Sequence, residues 1–244
     1  MIKKVLLTIL ACLLGGYMIF ALFIVDPENS SKTFCRKVQV EVVSGSDTPY
    51  FDEAGIRQAI EESELNPIDK SYAEINTGKI EKLVQEDKAV RKAECFKTID
   101  GTVKLRVYQR TPIMRIMSDT GDFYLDSEGE IMPSPKNFAA HVPLASGYID
   151  EEYAKNELYK LALYLHANKQ WNDEIKQIYI PKNKDIEVAL RRGDHVVIMG
   201  KPEDWEENME KLLLFYEKGL NKIGWNRYSV INLKYKDRVI CTKK

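Results

Sequence analysis

The chain opens on one long apolar run and then changes its hydrophobic period twice. Residues 5–25, opened by Val5 and closed by Val25, carry no charged side chain and follow directly on Lys3 and Lys4. As a helix the run is about 31 Å long, which matches the hydrocarbon core of a bilayer. It predicts a single membrane-spanning helix behind a cytoplasmic tail of residues 1–4, with Lys3 and Lys4 keeping that end inside by the positive-inside bias. A cleavable signal would have a shorter apolar core and end on small residues, whereas this run meets Asp26, Pro27 and Glu28. Everything after the run is therefore expected outside the cytoplasm.

Residues 26–34 are polar and read as a short linker. The period then becomes two: Val38, Val40 and Val42 alternate with Gln39 and Glu41, the pattern of a strand with one buried face. Two helices follow. Asp52 is placed to cap the first, with Phe51 packing on Ile56, and Asn76 to cap the second, with Ile75 packing on Ile80. Each has one apolar face, Ile56, Ala59 and Ile60 in the first, Ile80, Leu83 and Val84 in the second. From Val90 to Gln109 the period returns to two, with Asp100-Gly101 as a hairpin turn and Val103, Leu105 and Val107 on one face. Residues 35–110 thus form a β-α-α-β-β unit.

Residues 111–244 predict a second domain. Short strands are expected over 113–117, 123–125 and 131–132, then a helix over 153–167, then strands over 175–180, 186–190 and 195–199. A longer helix starts near Pro202, with Glu203, Asp204, Glu206 and Glu207 at its positive end. Trp205, Met209, Leu212, Leu213, Tyr216, Leu220 and Ile223 form its core-facing stripe. Gly224 ends it, and strands over 228–235 and 239–242 close the chain. The fold class is α+β: a membrane helix, a small α/β unit, and a mixed domain with an extended sheet and two longer helices.

Composition adds mainly exclusions. A formal net charge of −1 from 36 basic and 37 acidic side chains gives no field to capture nucleic acid. Cys35, Cys95 and Cys241 have no metal-ligand spacing, and a Cys35–Cys95 bridge is allowed but not required. His141, His166 and His195 fall in separate elements without a relay partner nearby in sequence. Asp126 to Glu130 superficially starts a calcium loop, but position twelve is Asn137 instead of a glutamate, so a turn is expected. The pairs Glu61-Glu62, Glu151-Glu152 and Glu206-Glu207 read as solvated helix faces. Asn29-Ser30-Ser31 is formally a sequon. No cofactor, metal or small-molecule substrate is expected.

The β-α-α-β-β unit directly outside a membrane anchor resembles a POTRA domain. It runs on into Val107-Tyr108-Gln109-Arg110-Thr111-Pro112-Ile113 and then Tyr124-Leu125-Asp126-Ser127-Glu128-Gly129-Glu130-Ile131, which resembles the join between domains in the FtsQ/DivIB cell-division family. Residues 144–147 resemble a turn of that family, and Ile231-Asn232-Leu233-Lys234-Tyr235 resembles its closing strand. The resemblance implies a non-enzymatic scaffold in the cytoplasmic membrane, its bulk in the periplasm, concentrated at the division site. It also implies two small bitopic partners, FtsB-like and FtsL-like, and a POTRA domain that helps recruit the protein.

Strand physics puts the partner at the chain's last strand, where main-chain groups are left for a further strand to pair with. The expected contact residues are Tyr235, Lys236, Arg238, Val239, Ile240 and Cys241, with Lys234, Lys236, Arg238 and Lys243 as a basic rim for an acidic partner. The same lysines could instead guard an exposed edge against aggregation. Two rival classes are a membrane-anchored enzyme acting on cell-wall polymer through a carboxylate pair, and a POTRA-bearing outer-membrane protein. The second would need a long transmembrane β-barrel, for which the chain has no suitable run of alternating segments.

Overall fold

The structure is a computed structural model that describes residues 9–18, 20, 33–44, 53–134 and 139–244. Lys3, Lys4, Val5, Val25, Asn29, Phe51, Asp52 and Asn137 lie outside the described residues. Residues 9–18 are helical and their large apolar side chains are exposed, and no helix among the described residues is long and apolar enough to cross a membrane.

The chain divides into two compact units. In the first, strand β1 (Lys37–Val43) lies parallel to β3 (Thr102–Gln109), which also neighbours β2 (Val90–Lys97). Val38, Val40 and Val42 pair in register with Val103, Leu105 and Val107. The alternation puts these side chains on one face, beneath helices α1 (Glu53–Glu61) and α2 (Thr77–Gln85), where Ile60 and Ile80 are fully buried. Asn76 caps α2, its side-chain oxygen accepting from the Lys79 amide at 3.0 Å. Cys35 and Cys95 are free thiols within this core. Burial, helped by the Glu81 carboxylate, pushes the Cys95 thiol up to about 12.

The second unit is built on a nine-stranded sheet in the order β12-β11-β10-β9-β8-β7-β4-β5-β6. Its strands are β4 (Pro112–Ser118), β5 (Gly121–Asp126), β6 (Ile131–Pro133), β7 (Leu144–Gly147), β8 (Ile175–Ile180), β9 (Ile186–Leu190), β10 (Val196–Gly200), β11 (Tyr228–Asn232) and β12 (Ile240–Lys243). Two of its parallel pairs, β7 with β8 and β10 with β11, need crossovers, which two helical segments supply. The first, α3, runs through Glu151–Tyr153, a π-helical turn Ala154–Leu158 and Tyr159–Ala167, and is followed by the short α4 (Lys169–Glu174). The second, α5, opens on a 3-10 turn Pro202–Asp204 and continues through Trp205–Phe215, a π-helical turn Tyr216–Leu220 and Asn221–Ile223. Leu158, Leu161 and Leu165 of α3, with Trp205, Met209 and Leu212 of α5, pack with Ile178, Ile180, Val188 and Val197 of the sheet in one core.

Several expectations are corrected here. Residues 144–147 are not a turn: they form β7 between β4 and β8, where Gly147 lets the backbone of Ile180 come close. The strand expected over 228–235 stops at Asn232, and that expected over 239–242 starts at Ile240. Leu213 and Ile223 face outward, at 39% and 41% exposure, because the buried stripe runs through Trp205, Met209, Leu212, Tyr216 and Leu220 at spacings of three and four, which leaves Leu213 on the flank. Helix α4 lies where no element was expected.

The turn between β5 and β6 explains the junction motif. The Asp126 carboxylate is buried and accepts from the Glu128 amide (2.8 Å), the Glu130 amide (2.7 Å) and the Arg110 guanidinium (2.7 Å). Arg110 and Asp126 are therefore a structural clasp that fixes the hairpin.

Candidate partner-binding edge

Strand β12 is one end of the nine-stranded sheet and among the described residues pairs only with β11, through Asn232 with Ile240, Ile231 with Cys241 and Val230 with Thr242. Ile240 is 44% exposed and Cys241 is half-buried against the core. A strand in this position leaves main-chain donors and acceptors for another strand. At the opposite end β6 is three residues long and finishes on Pro133, which has no N–H to offer.

The six expected contact residues divide between two kinds of backbone. Ile240 and Cys241 lie in β12, whereas Tyr235, Lys236, Arg238 and Val239 belong to the connection that precedes it. Tyr235 is half-exposed and Val239 packs partly on the core. Long-range polar contacts shape this connection. The Asn232 side chain turns back to accept from the Lys234 amide at 3.1 Å, which ends β11. From α5, the Lys211 ammonium donates to the carbonyls of Leu233 (3.1 Å) and Tyr235 (3.0 Å) and to Asn208 Oδ1 (2.9 Å).

The expected basic rim needs one correction. Lys234 is not free for a partner, because its ammonium lies 2.7 Å from the buried Asp185 carboxylate, which raises the lysine's pKa. Lys201 approaches the same carboxylate at 3.2 Å. Burial alone would push the Asp185 carboxyl up; hydrogen bonds from Lys234 and Lys201 outweigh it and hold the carboxyl below its usual range. Lys236, Arg238 and Lys243 have no ion partner among the described residues, and they form the rim that remains.

A groove of about 470 Å³ borders the connection. Leu214, Phe215 and Gly219 of α5 form one wall and Val239 the other, with Lys211, Lys218, Lys236 and Arg238 around it against the single carboxylate of Asp237. Sequence reading missed the α5 side of this site. The available signal was Leu214, which is half-exposed on a helix whose other apolar residues mostly face inward.

A second cleft bears on catalysis. Glu174 and Glu217 line it with Trp171, Tyr216, Trp225 and Arg192. Its polar groups are largely occupied with one another: Arg192 pairs with Glu174 at 3.2 Å and lies over the Trp225 ring, whose N–H reaches Asn221 at 3.2 Å. Behind it His195 is buried, with its Nε2 2.9 Å from the Tyr216 hydroxyl. Burial lowers the His195 pKa, with the Trp225 carbonyl acting the other way. Burial also raises the Cys241 thiol, away from the nucleophilic thiolate. Among the described residues no cluster of His, Cys, Asp and Glu could hold a metal ion. Glu61, Glu62, Glu151, Glu152, Glu206 and Glu207 are all exposed.

Comparison with known proteins gives two family matches and partial structural likenesses. The model described as "FtsQ/DivIB, C-terminal related" matches residues 111–242, more than half of the chain, and a "POTRA-like domain" model matches residues 33–108. A solved structure of the major extracytoplasmic domain of the trans isomer of the bacterial cell division protein DivIB, from Geobacillus stearothermophilus, is 13% identical. It covers 46% of this chain and 97% of its own, with a TM-score of 0.32. No curated protein matches the chain.

Proposed function

Because the chain belongs to the FtsQ/DivIB family of cell-division proteins, we propose that it is a non-enzymatic scaffold of the bacterial division machinery that binds small bitopic partners, FtsB-like and FtsL-like, by adding a partner strand to β12. In this reading residues 5–25 hold it in the cytoplasmic membrane, the two units stand outside the cytoplasm, and the protein gathers at the division site. The observation that carries the binding site is the open β12 edge with Lys236, Arg238 and Lys243 beside it, none of them ion-paired among the described residues. Main-chain pairing supplies affinity for an extended segment, and the unpaired cations favour an acidic one.

Affinity capture of the full-length protein from detergent-solubilised membranes tests the reading. Two small single-pass proteins are expected, and their loss from a variant with Lys236→Glu and Arg238→Glu would place them at this edge. Capture of no such proteins, or capture unchanged by the charge reversal, sinks the partner-site reading. The rival enzyme is tied to the Glu174 and Glu217 cleft: if Glu174→Gln and Glu217→Gln abolish function in dividing cells while capture is intact, the enzyme reading takes over.

A further inference from the structure

The hairpin tip between β2 and β3 presents Ile99 fully to solvent, and Phe34, just before β1, is 55% exposed. Both line one cleft with Thr33, Arg36, Asp100 and Gly101. The turn itself does not need an apolar residue at position 99. It is closed by the Asp100 carboxylate, which accepts from the hydroxyls of Thr98 and Thr102, and by Gly101 in the left-handed region at φ 84°. Phe34 is held beside the tip by backbone: Phe34 bridges to Ser71, and the Arg36 amide donates to the Gly101 carbonyl at 2.8 Å. Two large apolar side chains are thus fixed side by side in water. Arg36, at the cleft, is exposed and has no ion partner among the described residues, whereas the ammonium of Lys97, one step from the turn, is taken up by the Tyr72 carbonyl at 2.5 Å.

Position in the chain indicates the occupant. From Val25 to Phe34 is about nine residue steps, which reach at most roughly 30 Å when fully extended. With residues 5–25 in the bilayer, the tip stays within that distance of the headgroups. We infer that Ile99 and Phe34 insert together into the interfacial layer of the membrane that holds the anchor, with Arg36 at the level of anionic lipid phosphates. Apolar side chains gain by leaving water at that boundary, while long basic side chains keep their charge among the headgroups. This inference rests on the membrane span proposed above. The first unit would then stand tip-down on the lipid surface.

The test uses full-length protein in vesicles of phosphatidylcholine and phosphatidylglycerol, with and without bromine on the acyl chains, which quenches tryptophan at close range. The chain's own tryptophans, Trp171, Trp205 and Trp225, all lie in the second unit and set the background. The emission added by Ile99→Trp is expected to be lost in brominated vesicles. That added by Lys88→Trp, exposed at the opposite end of β2, is expected to survive. Undiminished emission from Ile99→Trp, with the chain retained on alkaline extraction, overturns the tip contact and leaves the span standing. Release on alkaline extraction removes the span and the tip contact together. Shielding of Ile99→Trp from acrylamide without bromine quenching would assign the tip to a protein partner and overturn the lipid contact.

Discussion

The Lys234 ammonium meets the Asp185 carboxylate at 2.7 Å across 49 positions of sequence, tying the start of β9 to the segment that follows β11. The carboxylate is almost wholly buried and the lysine is partly exposed, so the two ends of the contact differ in what their loss does. Asp185→Ala removes the buried acceptor of two ammonium groups and is expected to destabilise the second unit by about 1.5–3 kcal/mol. Lys234→Ala should cost less, because Lys201 still faces the carboxylate at 3.2 Å. Urea unfolding at neutral pH orders the two variants.

The same carboxylate sets an acid limit. Its pKa is lowered in the folded chain, so its contribution is present above the unfolded value of about 3.9 and is lost as pH falls through the lower folded value. Asp185→Asn should therefore be less stable than the native chain near neutrality and approach it below that range. Denaturation midpoints between pH 7 and pH 2 measure the convergence, and a constant difference would show that Asp185 does not titrate in this window.

At the edge, Tyr235→Ala is expected to weaken partner capture by roughly tenfold or more, since a half-exposed ring beside the strand can anchor an interface. Lys244→Ala should change little, because that ammonium is already 3.2 Å from Asp194. Reversing Lys236 and Arg238 should slow association, alter its salt dependence and weaken binding enough that the partners are lost on capture. Surface plasmon resonance with an identified partner separates rate from lifetime.

Gly147→Ala places a methyl 2.2 Å from the Ile180 carbonyl oxygen at a backbone φ of 105°. Neither the strand pairing nor the backbone can relax cheaply, so the loss is expected to be roughly 2–4 kcal/mol. In the first unit, Leu105→Ala empties a site at 1% exposure and should cost about 2–5 kcal/mol. Denaturant titration of each variant gives the value.

Thiol chemistry offers an independent check on packing. Cys35 and Cys95 are buried, and the Cys95 thiol is pushed up to about 12, whereas Cys241 sits half-buried on the edge strand. In native protein at pH 8, a thiol reagent should modify Cys241 before either core cysteine. Mass-spectrometric mapping over time decides it, and early labelling of Cys95 would mean that the first core opens readily.

What was legible in the sequence follows from how local each signal is. The valine alternation of β1, the Asn76 cap and the Pro202 start depend on neighbours within a turn, and each element formed there. Strand β7 has no such signature: Leu144-Ala145-Ser146-Gly147 buries only Ala145 fully, and its extended form comes from β4 and β8 on either side. The end of β11 depends in part on Lys211 reaching over from α5, and the fate of Lys234 on Asp185 far upstream. At the candidate site, the chain position of the last strand could be read locally. Its exact start, the turn holding Tyr235, Lys236 and Arg238, and the groove wall from α5 could not.

The contrast between the two sheet ends has a consequence for self-association. A copy stacking head to tail would have to dock its β12 on the β6 of a neighbour, and there it meets three residues finishing on Pro133. Edge-to-edge stacking of copies is therefore disfavoured at the β6 end, while the β12 end keeps main-chain groups on which a strand can pair.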